Sequence, residues 1–210
     1  MSYTEAQITD QITNLIRNIW STVDWGTAAL STAITEGITK GLREIAREGR
    51  ANVGLATVTT SAGTKDFSIS GVSNMLHGYD EESFEAVEFR VDKDPPRFRS
   101  FEVRGSRLAM DISFMPDASE DVRLYVRQPH VLSGTTTNTL DPVLEPLFVD
   151  LVASHIAVDK EGFFINAINV GGSGAYERVR DWGERKLAVT LRTLRALRKP
   201  PIAEQWPRVV

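Results

Sequence analysis

The C-terminal third of the chain constrains the fold most strongly, because two helical patterns of opposite character follow each other there. Residues 141–168 form a mostly apolar pattern, and residues 173–199 form a strongly basic one. Pro200 and Pro201 come directly afterwards, and proline blocks the hydrogen-bond ladder of a helix. The sequence therefore predicts an apolar helix with a buried stripe, then a basic helix, then an extended tail.

The start and the buried side of the apolar helix follow from individual residues. Asp141 and Pro142 suit the cap and the first position of a helix. Pro146 is awkward inside one, so the regular helix is expected to begin at about that residue. Ser173 is the expected cap of the basic helix. The predicted buried stripe consists of Leu147, Phe148, Leu151, Val152, His155 and Ile156.

Residues 200–210 form a tail with apolar side chains but no core of its own. Ile202, Trp206 and Val209 are its anchors. Tryptophan is enriched at interface hot spots because it buries a large rigid surface. We expect the tail to dock on another chain. The alternative is that it folds back onto its own helices.

Two helices are predicted before residue 50. Thr4 and Gln7 have the spacing of a capping box, in which each side chain satisfies a free N–H group at the helix start. A second helix is expected over residues 27–49. Gly37 and Gly41 lie on one face of it, although glycine costs a helix roughly 1 kcal/mol relative to alanine. That pair predicts close packing against another helix.

The middle of the chain alternates between apolar and polar residues, as β-strands do. Residues 55–70 predict a hairpin that pairs Val58 with Phe67. Residues 98–113 predict a clearer one, with a type II′ turn at Gly105-Ser106. Residues 122–127 continue its apolar face, which predicts a three-stranded antiparallel meander.

The order of helices, then strands, then helices predicts an α+β fold. We expect a helical bundle with a small β-hairpin and the meander, closed by the long C-terminal helices. Residues 1–199 are expected to form a single domain, and residues 200–210 the docking tail.

Composition excludes several classes of function. The chain has no cysteine, which rules out disulfides and thiolate metal sites and fits synthesis in a reducing compartment. The net charge of −4 argues against a dedicated nucleic-acid binder. The N-terminus lacks a signal-peptide pattern, and no apolar run approaches the ~20 residues that span a bilayer.

Few residues suggest catalysis. His77, His130 and His155 are far apart and fit no metal-binding motif. We interpret His155 as a core histidine and His130 as a turn residue. Residues 171–174 are glycine-rich but lack the phosphate-binding lysine of a P-loop. We therefore expect no enzymatic activity, no cofactor and no metal.

Two segments carry opposite charge. Residues 80–94 are acidic, and Glu81, Glu82, Glu85 and Glu88 form a possible acidic interface. The basic helix contributes Arg192, Arg195 and Arg198 as expected partner contacts. The two surfaces are either solvated, paired across neighbouring subunits, or, for the basic face, directed at DNA.

The order of segments resembles the head-to-tail adaptor, or head completion, proteins of tailed bacteriophages. The resemblance rests on the helix pair, the small hairpin and a meander that ends in Tyr125-Val126-Arg127-Gln128-Pro129-His130-Val131-Leu132. It continues in the helix start at Leu140-Asp141-Pro142-Val143-Leu144-Glu145-Pro146-Leu147-Phe148, and covers most of residues 5–195. The two prolines near that helix start and the tail depart from the family pattern.

The resemblance implies a structural protein of the virion neck, made in the host cytoplasm. It would form a ring of identical subunits, usually a dodecamer, beneath the portal. The ring would extend the DNA channel, contact passing viral DNA and carry the tail or tail-terminator proteins, without contact to a membrane. The alternatives are another neck or tail component such as a tail terminator, a DNA-binding regulatory protein, and a small hydrolase or nucleotide-binding protein.

Overall fold

A computed structural model describes residues 4–19, 27–91, 96–132, 138–159 and 174–198. The chain divides into two compact units. The helical unit comprises the described residues up to Arg50 and those from His130 to Arg198, and the β unit comprises those from Ala51 to Pro129. Residues 200–210, with Ile202, Trp206 and Val209, lie outside the described residues, as does Ser173. The N-cap of the C-terminal basic helix is Gly174, so the prediction of Ser173 as its cap was wrong.

Four helices build the described part of the helical unit, and the third lies at its centre. They are α1 (Glu5–Ile19), α2 (Thr27–Glu48), α3 (Glu145–Asp159) and α4 (Ala175–Ala196). Ten of the fifteen residues of α3 are buried, including Phe148, Val152 and Ile156. The predicted stripe is confirmed in the core, with Leu147 only partly buried. The start of the regular helix at Glu145 also agrees with the prediction from Pro146.

Glycines bring the neighbouring helices against α3. A Cβ atom on Gly41 of α2 would lie 2.9 Å from side-chain atoms of both Phe148 and Val152. On Gly183 of α4 it would lie 2.6 Å from the Cβ of Ala157 and 3.2 Å from the carbonyl oxygen of Ser154. Because real Cβ atoms do not approach so closely, glycine is required where α2 and α4 contact α3. The packing predicted from the α2 glycines is confirmed.

The capping box at the start of α1 is also confirmed. The backbone N–H of Gln7 donates to Thr4 Oγ1 at 3.3 Å, and the backbone N–H of Thr4 donates to Gln7 Oε1 at 2.9 Å. Ile8, Ile12 and Ile16 then lie buried at helical spacing.

In its described residues, 51–91 and 96–129, the β unit contains two antiparallel sheets that share one apolar core. The first has the strand order β1 (Asn52–Thr59), β7 (Asp121–Gln128), β3 (Phe84–Phe89), β4 (Phe98–Arg99), and a short 3-10 helix, Glu81–Ser83, precedes β3. The second has the order β2 (Asp66–Ser68), β6 (Arg107–Met110), β5 (Phe101–Arg104). Both contribute to the shared core, which includes Phe67, Val87, Phe89, Leu108, Met110, Val122, Leu124 and Val126.

The hairpin at Gly105 is confirmed. Arg104 pairs with Arg107 and Val103 with Leu108, and Gly105 adopts φ 57, as the first position of a type II′ turn requires. Met110, at the far end of the hairpin, is buried.

The other two strand pairings were predicted wrongly. Val58 pairs with Val122 rather than Phe67, and β2 pairs with β6, so residues 55–70 form no hairpin. The strand over residues 121–128 joins β1 and β3 instead of extending the 98–113 hairpin. The apolar faces of these strands were predicted correctly. The alternation of apolar and polar residues does not specify the partner strand, however, because each face fits either sheet.

The α+β class is therefore confirmed, whereas the single domain over residues 1–199 stays a prediction. No described helix is long and apolar enough to cross a membrane.

The contact at Gly183 gives the first testable prediction. Replacing Gly183 by alanine forces a methyl group against Ala157 and the Ser154 carbonyl, and overpacking costs about 1–3 kcal/mol, against up to about 1 kcal/mol of gained helix propensity. We expect a net loss of about 1 kcal/mol in the free energy of unfolding, measured by urea denaturation. The matched control is Thr193→Ala, at an exposed position of the same helix, which should leave stability nearly unchanged. A Gly183→Ala variant that is more stable than the parent would contradict the packing described here.

Candidate functional site

The outer surface of α4 carries a row of arginines at seven-residue spacing. Arg178, Arg185 and Arg192 are all exposed. Seven residues make almost two full helical turns, so the three side chains share one face and follow each other at about 10 Å intervals. This face lies opposite the buried side of the helix, where Gly183 and Leu194 pack. We call these three residues the arginine row.

Two other basic side chains of α4 are neutralised within the helical unit. Lys186 Nζ lies 2.9 Å from Asp150 Oδ2 of α3, and Arg195 Nε lies 2.7 Å from Glu48 Oε2 of α2. The hydrogen bond to Glu48 raises the pKa of Arg195 above its ordinary value. These pairs help to orient α4 against its neighbours, although the Arg195 side chain stays 63% exposed.

The three basic residues predicted as partner contacts therefore differ in their surroundings. Arg192 belongs to the arginine row. Arg195 is paired with Glu48 but its side chain stays 63% exposed, so its role as a partner contact stays a prediction. Arg198 is exposed just after the helix, where its N–H donates to the carbonyl of Arg195 at 3.3 Å. Sequence reasoning left Arg178 and Arg185 out of the interface, although their seven-residue spacing from Arg192 was a usable signal.

The predicted acidic interface is only partly a surface. Glu81 and Glu82 are exposed in the 3-10 helix, whereas Glu85 is partly buried. Glu88 is 1% exposed, so its assignment to an acidic surface was wrong.

Glu88 instead lies at the centre of a polar network on the first sheet. Its Oε2 atom accepts hydrogen bonds from the hydroxyl of Tyr125 at 2.9 Å and from Nη1 of Arg123 at 3.3 Å. Burial, followed by the bond to Glu88, raises the pKa of Tyr125. The Tyr125 ring meets Phe98 edge to face, with centroids 5.8 Å apart. A buried carboxylate needs such partners, so the network explains why Glu88 is tolerated in the strand.

His155 is a core histidine, as predicted. It is 4% exposed, and its Nε2 atom contacts the carboxylate of Glu44 on α2. The pair adds a polar link to the packing of α2 against α3.

His130 is a buried bridge and more than the turn residue that was expected. Its Nε2 atom lies 2.6 Å from the carbonyl oxygen of Arg50, to which a protonated Nε2 donates. Its Nδ1 atom lies 3.0 Å from the carbonyl oxygen of Thr139 and 3.2 Å from the Thr139 hydroxyl. Thr139 also accepts a hydrogen bond from the N–H of Val131 at 2.9 Å. The ring therefore joins the segment after β7 to the residue that follows α2.

Arg50 extends this bridge to two helices. Its Nη1 atom lies 3.2 Å from Asp141 Oδ2, just before α3, and its Nε donates to the carbonyl oxygen of Leu197 at 3.3 Å, at the end of α4. Leu197 is the C-cap residue of α4. We call Arg50, His130, Thr139 and Asp141 the junction cluster.

The described residues contain no group of three or more His, Asp or Glu side chains placed to hold a metal ion. No protein-family model matches the chain, and no curated protein matches it significantly.

The junction cluster predicts a pH dependence of stability. Burial lowers the pKa of His130 below its ordinary value, an effect that outweighs the opposing hydrogen bonds to Arg50 and Thr139. At pH values between the lowered pKa of His130 in the folded protein and its ordinary pKa in the unfolded chain, the unfolded chain therefore binds more protons than the folded one. The contribution of neutral His130 is fully present above about pH 6.5 and is lost as the pH falls through the lowered folded pKa.

We expect the free energy of unfolding to fall more steeply with acid in the parent protein than in His130→Gln, which cannot take up that proton. Chemical denaturation at a series of pH values measures both slopes. His77→Gln, a change at a histidine of the β unit, is the control for the general effect of removing a histidine. Equal slopes for the parent and His130→Gln would contradict the buried neutral state.

Proposed function

We propose that this protein is a head-to-tail adaptor of a tailed bacteriophage, forming a ring of identical subunits beneath the portal in the virion neck. The proposal starts from the resemblance of the segment order over residues 5–195. The ring would extend the DNA channel and carry the tail or tail-terminator proteins. Arg192, Arg195, Arg198 and the tail residues Ile202, Trp206 and Val209 remain the proposed partner contacts.

The arginine row is the observation that supports this function most directly. Three exposed guanidinium groups at about 10 Å intervals form a basic row about 20 Å long, interrupted by the exposed Asp181 between Arg178 and Arg185, on an otherwise net acidic chain. Arginine binds phosphate oxygens through charge-assisted hydrogen bonds, and such contacts carry no base specificity. A channel that passes a genome of any sequence needs this kind of contact.

The charge distribution also fits assembly from identical subunits. Lys186 and Arg195 of α4 are already paired within the helical unit, while Glu81 and Glu82 are exposed on the β unit. An exposed acidic segment and an exposed basic row on one chain allow contacts between unlike surfaces of neighbouring copies, the kind of contact that closes a ring.

A DNA-binding regulatory protein is the second candidate, because an exposed arginine row also suits a helix that lies along the DNA backbone. The two candidates differ in assembly. An adaptor forms a ring with a portal protein, whereas a regulator binds DNA as a small oligomer without one.

The first experiment replaces Arg178, Arg185 and Arg192 together by glutamine. We expect a loss of affinity for double-stranded DNA and a decrease of about 3 in the slope of log affinity against log salt, about 1 for each phosphate contact removed. Fluorescence anisotropy with DNA duplexes of unrelated sequence measures both quantities. We also expect the parent protein to bind all of these duplexes with equal affinity.

The matched control replaces Arg17, Arg43 and Arg47, three exposed arginines of α1 and α2, by glutamine, which changes the net charge by the same amount. If both triple variants lose DNA affinity equally, the arginine row is not a DNA contact. Native mass measurement with a portal protein then tests the ring. A parent protein that stays small in that mixture contradicts the adaptor and leaves the regulator.

A further inference from the structure

The first sheet ends in a long strand whose own sequence lacks the features that usually protect an edge. Strand β1 lies at the edge next to β7, and all eight of its residues pair with that strand. Its sequence, Asn-Val-Gly-Leu-Ala-Thr-Val-Thr, contains no charged residue and no proline. Natural proteins keep edge strands from pairing with other chains through charges, prolines, bulges or short length. Strand β1 has none of these.

The other sheet edges in the described chain are protected. Strand β4 has two residues and β2 has three. Strand β5 has four, two of which are the exposed Glu102 and Arg104. Among the edge strands of the described residues, β1 is therefore the one best able to pair with a strand of another chain.

The backbone of β1 defines the chemistry of its partner. Within the described residues, no backbone hydrogen bond joins β1 to any segment other than β7. A strand points its N–H and C=O groups alternately to its two sides, so one side of β1 presents a row of donors and acceptors. Only another extended backbone matches such a row along its whole length.

The side chains of β1 favour a second copy of the same strand. Leu55 is 65% exposed, the largest value among the exposed large apolar side chains of the described residues. It lies near the middle of the eight-residue strand, so an antiparallel pairing with its own copy brings two Leu55 side chains together. In that register Val53 lies opposite Thr57, and cross-strand pairs of β-branched residues stabilise a sheet. The strand has no charge to repel its copy.

We propose that β1 pairs antiparallel with β1 of a second copy about a two-fold axis, with Leu55 opposite Leu55. The two four-stranded sheets would become one continuous sheet across the dimer. Such a contact is closed, because it uses the same surface on both copies. It is therefore distinct from the unlike-surface contact of the proposed ring, and it would form in the purified chain without a portal or DNA.

Analytical ultracentrifugation of the purified full chain tests the dimer. We expect a concentration-dependent monomer–dimer equilibrium in the parent protein. Leu55→Lys should shift it to monomer, because two ammonium groups would then meet at the axis. Val189→Lys is the matched control, since Val189 is 60% exposed on α4 in the helical unit, and it should leave the equilibrium unchanged. A monomeric parent, or dimerisation that Leu55→Lys does not weaken, overturns the proposal.

A cysteine experiment tests the register, and the absence of native cysteine keeps it free of background. Opposite residues of antiparallel strands have Cα atoms about 4.5–5.5 Å apart, within the range that a disulfide spans. We expect Leu55→Cys to form a covalent dimer under mild oxidation at concentrations where Val189→Cys does not. Equal cross-linking of the two variants overturns the proposal. A chain truncated after residue 198 separates this contact from the tail, and loss of the dimer on truncation would also overturn it.

Discussion

The helical unit depends on the burial of α3. A helix that is apolar on nearly all sides must be covered from several directions, and two of its covering helices come closest to it where they carry glycine. Gly41 of α2 and Gly183 of α4 leave room for this approach, against Phe148 and Val152 on one side and Ala157 on the other. Polar pairs then orient the helices around this core, with Lys186 bonded to Asp150 and Glu44 in contact with His155.

The position of α4 has a direct consequence for its outer surface. Since Gly183 and Leu194 face inwards, helical periodicity leaves Arg178, Arg185 and Arg192 on the opposite side. The same helix thus uses part of its positive charge for internal pairs and exposes the rest in a line. The packing of the core and the direction of the exposed charge are two results of one helical register.

Local features of this chain could be predicted from sequence, and nonlocal pairings could not. The capping box at Thr4, the turn at Gly105 and the packing role of Gly41 each depend on residues close in sequence or on one helix face. The partner of β1 depends instead on strand β7, some seventy positions later, and an alternating apolar pattern fits several partners equally well. For the same reason the burial of Glu88 was missed, since its partners Tyr125 and Arg123 lie on another strand. The pairing of Arg195 with Glu48 likewise depends on how α4 meets α2.

The hydrogen bond between His130 and Arg50 has a consequence for folding order. In the helical unit, these residues mark the two places where the chain leaves for the β unit and returns. In the β unit, Asn52 pairs with Gln128, so its two ends also lie side by side. The β unit is thus an insertion between residues 50 and 130. If it were disordered, the helical unit would have to close a loop of about 80 residues. The part of the loop-closure entropy that grows with loop length would then cost about 4 kcal/mol. A folded β unit removes most of that cost in advance, which favours folding of the inserted unit first and of the helical unit second.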